Sequence, residues 1–139
     1  MTFFESLLAL MLAAARNISP AHAALKNGEW KRSKYTGIEL YEKTVGIVGF
    51  GRIGQGVARR LGGFGPRLLA SDPFLPADLV RDRGAEPVTL DDLFRTADVI
   101  TLQEVRAPDE LIADLVGEDG AGAGFHAPTP RTEDENHMR

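Results

Sequence analysis

The chain has 139 residues, about one domain on the usual size scale, and its 43% apolar and 26% charged residues argue against disorder of the whole. Sixteen Lys and Arg against 20 Asp and Glu leave a net charge of −4, which argues against nucleic-acid or membrane-surface binding, since both favour a basic excess. Cysteine is absent, so a disulfide scaffold, a thiol nucleophile and a Cys-based zinc site are excluded for this sequence.

The first residues read MTFFESLLALMLAAA. A secretory leader carries Lys or Arg ahead of its apolar run; here Glu5 stands there instead, and the run is shorter than the roughly 20 residues that span a bilayer. The stretch reads as a buried helix from Phe4 to Arg16, apolar nearly all round and therefore needing cover on most sides. Ser19-Pro20 reads as an N-cap followed by proline at the first position of a second short helix, which ends at Asn27-Gly28. Thr44 to Gly49 (TVGIVG) is a short β-branched run ending in glycine, the pattern of a buried parallel strand. A helix follows from Ile53 to Phe64, weakened near its end by Gly62 and Gly63. Arg67 to Ser71 is a second strand, Pro76 to Arg83 a short helix, and Pro87-Val88 a brief third strand. Thr89 to Asp92 resembles a capping box opening a helix that runs to Thr96, and Asp98 to Leu102 is a fourth strand.

The order βαβαβαβ predicts an α/β fold, a parallel sheet with right-handed crossovers, preceded by two helices. From Gly117 onward Gly, Pro, Thr and acidic residues dominate without a period of 2 or 3.6, and a disordered tail is expected. The domain organisation expected is therefore N-terminal helices and a linker arm over 1–36, a nucleotide-fold half over 37–102 and a divergent tail over 103–139.

Chemical content concentrates in the first strand-to-helix turn, Gly49-Phe50-Gly51-Arg52-Ile53-Gly54. This G-x-G-x-x-G pattern leaves a predicted strand and opens a predicted helix, the context that makes it specific. Gly49 permits the tight turn, Gly51 leaves room for a pyrophosphate beside the backbone, and Gly54 lets helix and sheet pack closely. Arg52 and Ile53 supply backbone N–H groups at the positive end of the helix. Asp72 closes the second strand about 20 residues on, where a carboxylate accepts the adenosine ribose hydroxyls and repels a 2′-phosphate. The cofactor expected is NAD rather than NADP, held at Gly49, Gly51, Arg52, Ile53, Gly54 and Asp72 on half of a Rossmann fold.

These residues sit within a wider resemblance. Glu5 with LLALMLAAAR, Gly28-Glu29-Trp30, Gly37-Ile38-Glu39-Leu40 and Lys43 to Gly49 run into Gly51-Arg52-Ile53-Gly54 with Val57-Ala58. Phe64-Gly65, Ser71-Asp72-Pro73, Leu90 to Leu93 and Ala97 to Ile100 follow. The combination, over roughly residues 4 to 102, resembles the D-isomer-specific 2-hydroxyacid dehydrogenases, most closely their phosphoglycerate dehydrogenase branch. Ser6 stands where that family usually has His, and Glu42 where it usually has Gly. The resemblance implies an oxidoreductase acting on CH–OH with NAD as acceptor. It also implies an Arg that holds the substrate carboxylate and a His–Glu pair that removes the hydroxyl proton.

After Leu102 the resemblance fails, and no segment matching that Arg, Glu or His follows. No catalytic residue and no metal ligand is therefore assigned; the chain reads as a truncated piece, expected not to turn over a hydroxyacid alone. His22 reads as an idle surface residue, His126 and His137 as tail residues, and Lys31 to Lys34 as a solvated basic loop. Trp30 and Tyr35 suggest packing against another subunit, since the resemblance implies that this segment helps build a dimer. The expected partners are NAD(H) and a second copy, met through the N-terminal helix and the Trp30 arm; neither nucleic acid nor a membrane is expected, and the expected location is cytoplasmic. Three readings stay open: a dehydrogenase fragment, a non-catalytic NAD-binding module, and a dimerising remnant without useful cofactor affinity.

Overall fold

The structure is a computed structural model that describes residues 3–103; the expected tail, with His126 and His137, lies outside the described residues apart from Gln103. Helices α1 (Phe3–Ala15) and α2 (Ile18–Lys26) lead into a short 3-10 turn at Arg32–Tyr35. The alternating part follows as β1 (Thr44–Val48), α3 (Arg52–Leu61), β2 (Arg67–Ser71), α4 (Ala77–Asp82), β3 (Glu86–Pro87), α5 (Leu90–Thr96) and β4 (Val99–Leu102).

The strands form one parallel sheet in the order β3-β2-β1-β4. β1 to β3 step outward on one side, and the chain then crosses back to lay β4 on the other flank of β1. Alternation along β1 sorts the core. Val45 and Ile47 face α3, where Val57, Ala58 and Leu61 are buried with them, and Val80 of α4 and Ala85 cover the same face. Gly46 and Val48 face α5, packed with Leu93. Helices thus cover both faces, which explains why β1 reads as a continuous apolar run.

α1 is not covered on most sides, as its composition suggests it should be. Phe4, Met11 and Ala15 are buried, and Phe4 and Met11 join the core beneath α3, but Phe3 and Leu10 remain exposed. The break before α2 differs from the expected Ser19 cap. Asn17 takes the cap position in a left-handed conformation (φ 54°), and Pro20 falls on the third helical residue. Proline is tolerated there because first-turn N–H groups have no helical acceptor in any case. At the other end Gly28 (φ 80°) follows Asn27; Gly28 N–H donates to Leu25 O (3.0 Å) and Glu29 N–H to Ala24 O (2.9 Å). This double closure is the glycine-terminated helix end anticipated from Asn27-Gly28.

Elsewhere the differences are of one to three residues. The helix expected to reach Phe64 loses its α geometry at Leu61 and tightens to a 3-10 turn through Gly62–Phe64, where glycine favours the α form least. The third strand is Glu86–Pro87 rather than Pro87-Val88, with Arg67 and Glu86 in a bidentate pair across β2 and β3. Thr89 caps α5 as expected: its Oγ1 accepts from Asp92 N–H (3.2 Å), and its hydroxyl donates to Asp92 Oδ2 (2.8 Å).

Candidate functional site

The site is built where β1 ends. Gly49 leaves the strand at φ 84°, a left-handed conformation that glycine adopts without the steric cost a side chain brings, while its N–H still donates to Ser71 O of β2 at 2.9 Å. A Cβ on Gly54 would press into the carbonyl oxygen of Gly49 and lie 3.4 Å from the Ile47 side chain, so the first turn of α3 rests directly on the strand exit. A Cβ on Gly51 would meet nothing within 4 Å, so the space above it is open. These are the three roles expected from the spacing: turn, approach and close packing.

Gly51 caps α3, and the first helical N–H to find a carbonyl is that of Gln55, on Gly51 O at 3.0 Å. Among the described residues the N–H groups of Gly51, Arg52, Ile53 and Gly54 have no acceptor. They converge at the positive end of a ten-residue helix, an arrangement suited to an anion such as a pyrophosphate.

Asp72 stands beside the turn and braces it. Its Oδ2 accepts from Phe50 N–H of the glycine turn (2.8 Å), and its Oδ1 accepts from Phe74 N–H (2.9 Å). An ionised carboxylate has about four acceptor positions, so each oxygen keeps capacity for a ligand hydroxyl. Gln55 Nε2 donates to Phe50 O (2.9 Å) and holds the turn from the helix side.

A cavity of about 1180 Å³ opens beside the turn, lined by Gly49, Gly51, Arg52, Ile53 and Gly54 and continuing along α3 to Arg59, Arg60, Phe3 and Phe4. Five of the six expected site residues line it; Asp72 does not, and is joined to the group through the Phe50 hydrogen bond. His22 is exposed on α2 and has no place in this cavity. Reasoning from sequence missed Gln103, which falls with the expected tail yet is 9% exposed and lines the cavity. Its N–H extends the ladder to Val48 O at 2.9 Å. No group of three or more metal-ligating side chains occurs among the described residues.

A family model described as "D-isomer specific 2-hydroxyacid dehydrogenase, NAD binding domain" matches residues 8–110. The chain belongs to this family. Among curated 2-hydroxyacid dehydrogenases it is 47% identical over 105 residues to the D-3-phosphoglycerate dehydrogenase of Methanocaldococcus jannaschii, a match covering 75% of this chain and 20% of that one. A crystal structure of a phosphoglycerate oxidoreductase from Rhizobium etli is similar with a TM-score of 0.69 at 33% identity, over 73% of this chain and 35% of the other. An NAD-dependent formate dehydrogenase from Staphylococcus aureus, solved in complex with NAD, is similar with a TM-score of 0.67 at 35% identity, over 76% of this chain and 32% of that one. The chain thus spans about a fifth of the length of the curated 2-hydroxyacid dehydrogenase it matches. The expected family and the half-Rossmann sheet are both borne out.

Proposed function

We propose that this chain is the part of a D-2-hydroxyacid dehydrogenase that holds NAD(H), with Gly49, Gly51, Arg52, Ile53, Gly54 and Asp72 as the contact residues. The observation that carries the reading is the set of acceptor-less N–H groups over an open space at Gly51, with the Asp72 carboxylate bonded to the same turn. Bound NAD supplies a hydride acceptor for the carbon that bears the substrate hydroxyl. The chain's own residues bind and orient: the α3 N–H groups receive the diphosphate, and Asp72 accepts from ribose hydroxyls. Asp72 also disfavours a 2′-phosphate by placing negative charge against it. For the complete protein the reaction proposed is oxidation of a D-2-hydroxyacid of the phosphoglycerate type; the base and carboxylate clamp belong to segments with no counterpart in this sequence, so the chain by itself holds cofactor without turning it over.

Calorimetric titration with NADH and NADPH tests this. Wild-type chain is expected to bind NADH and to bind NADPH at least tenfold more weakly, as like charge opposing a phosphate costs on the order of 1–2 kcal/mol. The variant Asp72→Ala is expected to lose about tenfold in NADH affinity and most of its discrimination. A folded wild-type chain that ignores NADH overturns the proposal.

We further propose that a second copy of the chain covers the N-terminal helices, in a cytoplasmic setting. Phe3 and Leu10 on α1, and Ile18 and Leu25 on α2, are each separated by seven positions and so share a helix face. All four are exposed, as is Trp30 at 73%. No described helix is long and apolar enough to cross a membrane.

A further inference from the structure

We propose that the acidic stretch 104–119 of this chain is held by arginines that line the cavity beyond the glycine turn, and that it competes there with a bound dinucleotide. The contact rests on charge and connectivity. The competition also rests on the reading that the glycine turn holds NAD(H).

Arg52, Arg59, Arg60 and Arg83 line the cavity, against one carboxylate, Asp82. None of these side chains takes part in an ion pair among the described residues, whereas Lys31, Arg67 and Arg81 each have one. Like charges gathered around one cleft repel one another and focus a positive potential into it, so the arrangement is most stable with an anion between them. The dinucleotide does not account for all four arginines. Its diphosphate belongs at the first turn of α3, beside Arg52. Arg59 lies seven positions further along the same helix face, roughly 10 Å up the axis, and Arg83 follows the last residue of α4. Arg60 is fixed by its hydrogen bond to Gly56 O (2.9 Å) and by the Phe4 ring against its guanidinium.

The rest of the sequence supplies the counter-charge. Residues 1–103 carry 13 Lys and Arg against 11 Asp and Glu, a net of +2, whereas residues 104–139 carry 3 against 9, a net of −6. Within 104–119 stand Glu104, Asp109, Glu110, Asp114, Glu118 and Asp119, with Arg106 the single base. This stretch begins at the cavity, because Gln103 lines it and donates its N–H to Val48 O at 2.9 Å. Sixteen residues span roughly 50 Å when extended, so even Asp119 is within reach of the arginines. Tethering at that range gives an effective concentration on the order of millimolar, an advantage no free acidic peptide shares.

The chain has no cysteine, so a single nitroxide can be placed at Ala113→Cys and its effect on amide signals read by NMR in the full chain. Selective broadening around Arg59 and Arg83 is expected at about 50 mM NaCl and is expected to vanish near about 0.5 M, where the screening length is roughly 4 Å. It is also expected to vanish in Arg59→Gln with Arg83→Gln. Both side chains are exposed and neither belongs to the proposed cofactor contacts, and thermal unfolding checks that the variant keeps its fold. Absence of broadening at low salt overturns the proposal. So does equal broadening when nitroxide-bearing chain is mixed with isotope-enriched chain lacking the label, which hands the site to a second copy. Competition is read by calorimetric titration with NADH, on wild type and on a variant carrying Asp109→Asn, Glu110→Gln, Asp114→Asn, Glu118→Gln and Asp119→Asn. The variant is expected to bind NADH about three- to tenfold more tightly, since a docked acidic stretch no longer holds part of the population out of binding. Equal affinities overturn the competition. A wild type and variant that both ignore NADH overturn the cofactor reading, while the nitroxide result decides the contact by itself.

Discussion

Glu42 carries a conformation it is poorly suited to. Its φ of 58° lies in the left-handed region, where a Cβ crowds the following carbonyl at a cost of about 1–2 kcal/mol. It holds the place because its N–H donates to Gly65 O (3.1 Å) and the chain must bend there from Leu40 into β1. The motif resembling the family's usual glycine at this position is thus explained by geometry rather than by chemistry. Glu42→Gly is expected to stabilise the chain by about 0.5–1 kcal/mol, the strain relieved less the entropy that glycine adds to the unfolded state. Urea unfolding measures this; a variant less stable than wild type would show that the Glu42 side chain makes a compensating contact. The same scale explains what could be read in advance. Gly49, Gly54 and Asp72 were legible because their roles follow from local backbone geometry at fixed spacing. Gln103 was not, because its burial arises from β4 pairing with β1, which is distant in the chain.

At the scale of elements, α1 and α3 are joined by a contact that needs a small residue on one side. The Phe4 ring lies over Gly56, where an added Cβ would sit 2.6 Å from the ring's Cζ. The Arg60 guanidinium lies over the same ring, 4.0 Å from its centroid, and Arg60 Nη1 donates to Gly56 O (2.9 Å). Gly56→Ala is therefore expected to destabilise by about 1–3 kcal/mol, as overpacking does. In a Phe4→Ala background the same change is expected to stabilise by about 0.5–1 kcal/mol, since alanine is the better helix former once the ring is gone. A double-mutant cycle by thermal unfolding reads the sign reversal, and additive effects would mean the ring simply turns aside. The elements themselves were largely legible, since period and punctuation agree along β1, α3, β2 and α5. The start of α2 was not: Asn17 makes the break, and its place is set by Ile38 N–H donating to Ala15 O (2.8 Å), a contact between distant segments.

At the scale of the molecule, the exposed faces of α1 and α2 make self-association the expected state. Sedimentation velocity is expected to show a concentration-dependent species heavier than the monomer, shifted towards monomer by Leu10→Lys with Leu25→Lys. A single monomer species at all concentrations would remove the second copy from the account. The parallel sheet was legible from the alternation of strand and helix, and the apolar excess of α1 already pointed to a second copy; the order β3-β2-β1-β4 was not anticipated, because the flank of β1 that β4 takes is set by contacts between distant segments.

The all-parallel sheet also sets the order in which the chain can become a fold. Among the described residues no two strands are joined by a hairpin, so no local pairing can seed this sheet. β1, one of the two inner strands, bonds on one side to β2 only after the chain has passed through α3. Its other side stays open until Asp98 arrives, when Thr44 N–H donates to the Asp98 carboxylate and Asp98 N–H to Thr44 O. Closing a loop of that length before any reward slows folding and prolongs the life of an open, apolar strand edge. The glycine turn is therefore synthesised before either of the strands that flank β1, and cofactor present during synthesis finds a turn held on both sides only when β4 has emerged.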